Sequence, residues 1–188
     1  MYRLIYNLNP TNNNQTQRRN IMGFFTGVSG VARNQSNSKG EYFQDGKYLV
    51  EINKLEARNK RADGQPVAIV EGYVIEVLNG TGNSNAEGDK VAWFNDLGRK
   101  PDGDFTDGGK RGMARIKTFI AELLGGDAAG VTDSDITEEV CDQLFGAAEG
   151  YTGEETKGVR LVAEAKTTVS SKSGKPFTNV YWRAINEQ

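Results

Sequence analysis

Apolar and polar positions alternate with a period of two from residue 46 onward. GKYLVEINKLEA puts Tyr48, Val50 and Ile52 on one side and Leu49, Glu51 and Asn53 on the other, the pattern of a half-buried strand. After the turn NKRADGQP, the β-branched run PVAIVEGYVIEVL over 66–78 predicts a second strand. Gly72 in its middle predicts a bulge or sharp bend. KVAWFNDL, 90–97, predicts a third strand. After the loop GRKPDGDFTDGGKRG the period becomes helical. Met113, Ile116, Ile120, Leu123 and Leu124 share a stripe, with Arg111, Arg115, Lys117 and Glu122 mostly off it and Gly125 and Gly126 as the stop. A second helix is expected over about 135–148, with Ile136, Val140, Leu144 and Phe145 apolar and acids in the first turn. GVRLVAEAKTTV, 158–169, and PFTNVYWRAI, 176–185, read as two final strands joined by the hairpin loop SSKSGK.

Three strands, a helical segment and two strands form the order of an OB-fold, a five-stranded Greek-key barrel with a helix between strands three and four; a flat α+β sheet or a sandwich with a helical insertion would give a similar string. The expected domain runs over 41–188, with a helical, acidic insertion at about 110–156. Residues 1–40, rich in Asn, Gln, Ser and Gly, read as a flexible N-terminal tail. Within them MGFFTGVSG is a short apolar island that could dock locally or mark a translation start.

Composition narrows the chemistry. The 188 residues suit one domain plus tails, and no apolar run approaches the ~18 residues of a membrane span, so neither a membrane nor a secretory signal is expected and the expected setting is the cytoplasm. With no histidine and one cysteine, Cys141, the chain lacks Ser-His-Asp triads, Cys-His dyads, disulfides and Cys- or His-based zinc sites. No cofactor, metal or catalytic residue is expected. GDFTDGGKRG resembles a phosphate-binding loop but misses its spacing by one, and Arg111 stands where Ser or Thr would bind magnesium. A polar loop leading into a helix accounts for it better.

The net charge of −2 conceals a segregation: residues 127–156 hold nine of the 25 acids and no Lys or Arg, leaving 16 acids against 23 bases elsewhere. A basic body suits a polyanion partner, and a merely solvated surface would look the same. In an OB-fold the oligonucleotide face is built on strands two and three and flanked by the loops joining strands one to two and four to five. Here those loops carry Arg58, Lys60 and Arg61, and Lys172 and Lys175. Parity in the last strand puts Phe177, Asn179, Tyr181 and Arg183 on one face, and Thr178, Val180, Trp182 and Ala184 on the other, expected to be core. Tyr73 and Trp93 complete the candidate DNA contacts; because Trp93 and Phe94 point opposite ways, one of them must be core. Cations beside rings are what single-strand binders use for phosphates and bases.

Across about 46–186, GKYLVEINKLEARNKRADGQPVAIVEGYVIEV, RIKTFIAELLG and SGKPFTNVYWRAI resemble the OB-fold single-stranded DNA-binding proteins encoded in bacteriophage replication and recombination gene clusters. That resemblance implies non-catalytic coating of single-stranded DNA, weak sequence preference and often self-association. In many such proteins the acids form a C-terminal tail that recruits partners, whereas here they lie inside the chain at 127–156. Two rivals remain: a structural or adaptor protein using that acidic segment to bind a protein partner, and an enzyme acting on nucleic acid through carboxylate-bound magnesium.

Overall fold

A computed structural model describes residues 24–26, 43–169, 174 and 176–185 of the chain. Five strands, β1 (Gly46–Asn59), β2 (Pro66–Gly80), β3 (Lys90–Asp96), β4 (Arg160–Val169) and β5 (Pro176–Ala184), form one antiparallel sheet in the order β3-β2-β1-β4-β5. Helix α1 (Asp107–Leu123) and the short α2 (Glu138–Leu144) lie between β3 and β4 in the chain. The mainly β architecture with its helical segment after the third strand is the expected one. The expected barrel is not closed: β3 and β5 lie at opposite ends of the sheet order, and no β3–β5 pairing occurs among the described residues. Helix α1 packs against both edge strands, and its Phe119 ring stands 5.8 Å from Trp93 on β3 and 5.3 Å from Trp182 on β5. A helix and its side chains are too thick to permit a hydrogen-bonded ladder across the same gap.

The core lies between the inner face of the sheet and α1. Tyr48, Val50 and Ile52 of β1 are buried as the alternation predicts, together with Val70, Trp93, Ala163, Val180 and Trp182 from the other strands. Past Ile52 the register slips: Ile52 faces Gly72 but Lys54 faces Glu71, so Asn53 is the extra residue and Leu55 returns to the core. At Gly72 the extra residue is therefore on β1, opposite the glycine, while two further shifts put Ile75 and Leu78 of β2 out of register. Glycine is needed there because a β-carbon would lie 2.7 Å from the Glu51 carbonyl oxygen and from Val50 Cγ1.

Helix α1 starts where Thr106 accepts the Gly109 N–H at 3.0 Å, and Gly125 and Gly126, both at positive φ, end it. The glycines that imitated a phosphate loop have a packing role: a β-carbon at Gly109 would overlap the Gly98 carbonyl, and one at Gly112 the Asp96 carbonyl. They let the first turns of α1 lie directly on the chain leaving β3. Lys117, expected off the apolar stripe, is instead buried. A lysine can line a core with its aliphatic stem.

Helix α2 is shorter than the expected 135–148, because beyond Leu144 the backbone serves β1. Ala57 N–H donates to Phe145 O at 3.0 Å, Leu55 N–H to Gly153 O at 2.7 Å and Ile52 N–H to Val159 O at 2.8 Å. Strand β4 pairs with β1 only as far as Glu51, and this irregular stretch continues the edge beyond it. The acidic segment is thus built into the sheet. Of the expected N-terminal tail, residues 24–26 are packed on the domain, with Phe25 fully buried; the rest of it lies outside the described residues.

Candidate nucleic-acid interface

Strand pleating sends alternate side chains to the outer face, and the register sets which of them become neighbours. One row across the sheet is Arg160, Glu51, Tyr73 and Lys90; another is Tyr181, Glu164 and Lys47; a third is Arg183, Val162 and Leu49. Tyr73 is 40% exposed, Tyr181 and Phe177 are half-buried, and Arg183 is exposed. These four expected contact residues therefore share the outer face. Arg58 and Arg61 lie at the β1–β2 turn with exposed side chains.

Trp93 does not belong with them. It is 1% exposed, on the same side of β3 as Val91, and its ring contacts Phe119 and Trp182. A ring packed on that side cannot offer a face to a base. Phe94, half-buried, points the other way and takes its place. The sequence held the clue: Lys90, Asp96 and Phe94 share a parity, and two charges mark it as the solvent side. Asn179, placed by parity beside Tyr181, is itself buried, with Nδ2 donating to Thr168 Oγ1 at 3.1 Å. Lys172 and Lys175 lie outside the described residues.

The cations of this face are closely matched by acids. Lys90 Nζ lies 2.9 Å from Glu71, Arg160 Nε 3.0 Å from Glu51, Lys166 Nζ 2.6 Å from Glu164, and Arg58 Nε 3.7 Å from Glu56. Lys60 reaches Asp96 at 2.6 Å and Asp63 at 3.3 Å. Burial pulls the Lys60 ammonium down, but the hydrogen bonds and charges of Asp96 and Asp63 together outweigh it and hold its pKa above the usual lysine value. Glu71 raises Lys90 in the same way. These are exposed or half-exposed pairs weakened by solvent screening, so an incoming phosphate can compete for the cation.

A further cation was not among the expected contacts. Arg115, on the narrow strip of α1 left uncovered, is half-buried, and its pKa is pushed down to about 10, first by burial and then by Arg111 one turn before it. It lies in the electrostatic field of Tyr181, which favours its charged form. The i, i+4 spacing of Arg111 and Arg115 off the apolar stripe was the available signal.

Among the described residues no three His, Cys, Asp or Glu side chains group closely enough to hold a metal ion, and no helix is long and apolar enough to cross a membrane. Cys141 is fully buried, and its thiol is pushed up to about 12, chiefly by burial. A thiol in that state is a core side chain rather than a nucleophile. No protein-family model matches the chain, and no curated protein matches its sequence.

Proposed function

We propose that the protein binds single-stranded DNA without catalysis, coating it in phage replication or recombination in the host cytoplasm, through the outer face of the sheet. The observation that supports this most is the arrangement of that face. Tyr73, Phe94, Phe177 and Tyr181 put partly exposed rings on the same side of the five strands as Arg58 and Arg183. Base–ring stacking contributes roughly 1–3 kcal/mol per base, and arginines beside the rings supply the phosphate contacts. The OB-like strand order and the resemblance of the strand and loop segments point the same way.

Titrating a labelled oligonucleotide against the full chain at several salt concentrations tests the reading. With about four phosphate contacts, log affinity should fall with log salt at a slope near −3, and single strands should bind more tightly than duplex. Binding no tighter than about 100 μM at low salt would sink it.

The adaptor alternative has one structural point in its favour: most acids of 127–156 for which burial is described are exposed or half-exposed. Deletion of the segment is no test, since 145–159 complete the edge of β1. Replacing Asp133, Glu139 and Glu149 by Asn or Gln removes charge and spares the backbone. If an assembly that ignores DNA dissolved on that change, the adaptor reading would be favoured.

A further inference from the structure

Helix α1 closes the gap between β3 and β5 with its apolar face, burying Met113, Ile116, Phe119 and Ile120 beneath it. What remains outward is a stripe at helical spacing, with Arg111 exposed and Arg115, Thr118 and Glu122 half-buried. Two contacts hold this helix against β5. The Phe119 ring lies 5.3 Å from that of Trp182, and Glu122 Oε2 accepts the Ala184 N–H at 2.8 Å. Arg115 stands one turn before Phe119, and Tyr181 stands next to Trp182 with its side chain on the opposite face of the strand. The field of Tyr181 reaches the Arg115 guanidinium, so the two groups lie on the same side. The stripe of α1 therefore borders the outer face of the sheet where that face reaches β5. It lies apart from β2, β3 and the two loops on which the OB-like order centres binding.

The charges of this stripe differ from those on the sheet. Lys60, Lys90, Arg160 and Lys166 each have a carboxylate within 3.0 Å, whereas Arg111 has no ion pair with any described residue. Its neighbour one turn on is a second guanidinium, and burial and then the like charge of Arg111 work against the ionised form of Arg115. Four helical residues set the two about 6 Å apart along the axis, so both side chains can converge on one group. An anion between them removes their repulsion. A phosphodiester suits the place best, because each guanidinium presents a planar fork of N–H donors to its two free oxygens. Tyr181, half-buried beside the pair, offers a ring to the attached base, which selects a nucleic-acid phosphate over a bare anion. We propose that Arg111 and Arg115 clamp one backbone phosphate of a bound single strand, with the adjoining base on Tyr181, so that the binding face extends past β5 onto α1. The clamp presupposes the single-strand binding proposed above, and adds to it a phosphate contact for which Arg111 gives up no carboxylate.

Titrations of a labelled oligonucleotide over a salt series test it on the full chain. Arg111→Glu puts a carboxylate where the phosphate would sit, and Lys157→Glu makes the same change of charge in the exposed stretch before β4. Arg111→Glu should bind on the order of tenfold more weakly, as expected for hydrogen bonds to a charged group. Its slope of log affinity against log salt should be shallower by about 0.7, the value of one phosphate, while Lys157→Glu keeps the slope of the unaltered protein. Arg115→Gln should lose as much, and combining it with Arg111→Glu should add little, since both side chains hold the same phosphate. Additive losses, or an Arg111→Glu protein that matches Lys157→Glu while the unaltered protein binds, overturn the clamp and leave the function proposed above standing. An unaltered protein that binds no single strand removes that function and the clamp with it. If the urea midpoint shows that Arg115→Gln does not fold, the exposed Arg111 position decides by itself.

Discussion

Replacing Asp142 by Asn should make the protein more stable at neutral pH and leave it unchanged in acid. The Asp142 carboxyl is half-buried beside Glu138, and its pKa is pushed up from 3.8 to about 6, first by burial and then by the Glu138 charge, against the N–H of Phe25, which favours the ionised form. One of its oxygens, Oδ1, is buried without a hydrogen-bond partner. Because the folded protein holds this proton more tightly than the unfolded chain, stability from this group is fully present below about pH 3.8 and is lost as pH rises through about 6. A difference of roughly two pH units corresponds to about 3 kcal/mol at 1.36 kcal/mol per unit. The site is partly solvated, and screening reduces that ceiling to ~1 kcal/mol. Asparagine keeps an oxygen for the Phe25 N–H and carries no charge. Urea unfolding of both proteins from pH 4 to pH 7.5 is the assay. The stability curves should meet near pH 4 and part by ~1 kcal/mol in favour of Asp142→Asn at pH 7.5. Parallel curves, or a less stable variant at pH 7.5, would refute the reasoning, since the carboxylate would then be a net stabiliser of the docked segment.

Three other consequences are independent of that one. Tyr181→Ala should weaken oligonucleotide binding by roughly 1–3 kcal/mol, the value of one stacked base, with little change in urea midpoint. Trp182→Ala should cost about 3–5 kcal/mol of stability, since that ring meets Phe43, Trp93 and Phe119 at 5.3–5.8 Å; the reverse pattern would show the face assignment to be wrong. Cys141, buried and with its thiol pushed up to about 12, should react with a thiol reagent at pH 8 orders of magnitude more slowly in the native protein than in urea. Prompt stoichiometric labelling of the native protein would contradict that packing.

The strands were legible because each buries one face, so period two survives in Tyr48, Val50 and Ile52 or in Val180 and Trp182. What was hidden depends on partners distant in sequence. Gly72 announced a distortion, but the extra residue is Asn53, across the ladder. Gly109 and Gly112, in the first turns of α1, looked chemical because close helix–strand approach and phosphate cradling both require a missing side chain. Barrel closure was over-read: strand order along a chain does not say whether the two edges meet or receive a helix. The island holding Phe25 could dock or mark a translation start, and the sequence left the choice open because an apolar pair surrounded by Asn, Gln and Gly has no periodicity; its burial is conferred by Arg99 and Phe145, more than 70 residues away. Of the paired cations only Arg58 and Lys60 were among the expected contacts, and their neutralisation was hidden because which acid faces which base is fixed by register.

That neutralisation sharpens what a salt titration measures. A cation that keeps its carboxylate while DNA binds displaces no counterion from the phosphates, so it adds affinity without adding slope. A cation that leaves its carboxylate for a phosphate does add slope, at the cost of a solvent-screened, exposed pair. Lys60 is the most firmly tied, between Asp96 and Asp63, and Arg58, 3.7 Å from Glu56, the most loosely held of the expected contacts with an ion pair. A slope near −3 therefore requires pairs on the outer face to open, and a slope near zero with binding still lost on Tyr181→Ala would mean that rings do the holding while the pairs stay closed. Asp96→Asn separates the two cases: it frees Lys60 from its nearer partner. It should steepen the slope by about 0.7 if the β1–β2 turn meets the phosphates, and leave it unchanged if the DNA lies only along β4 and β5.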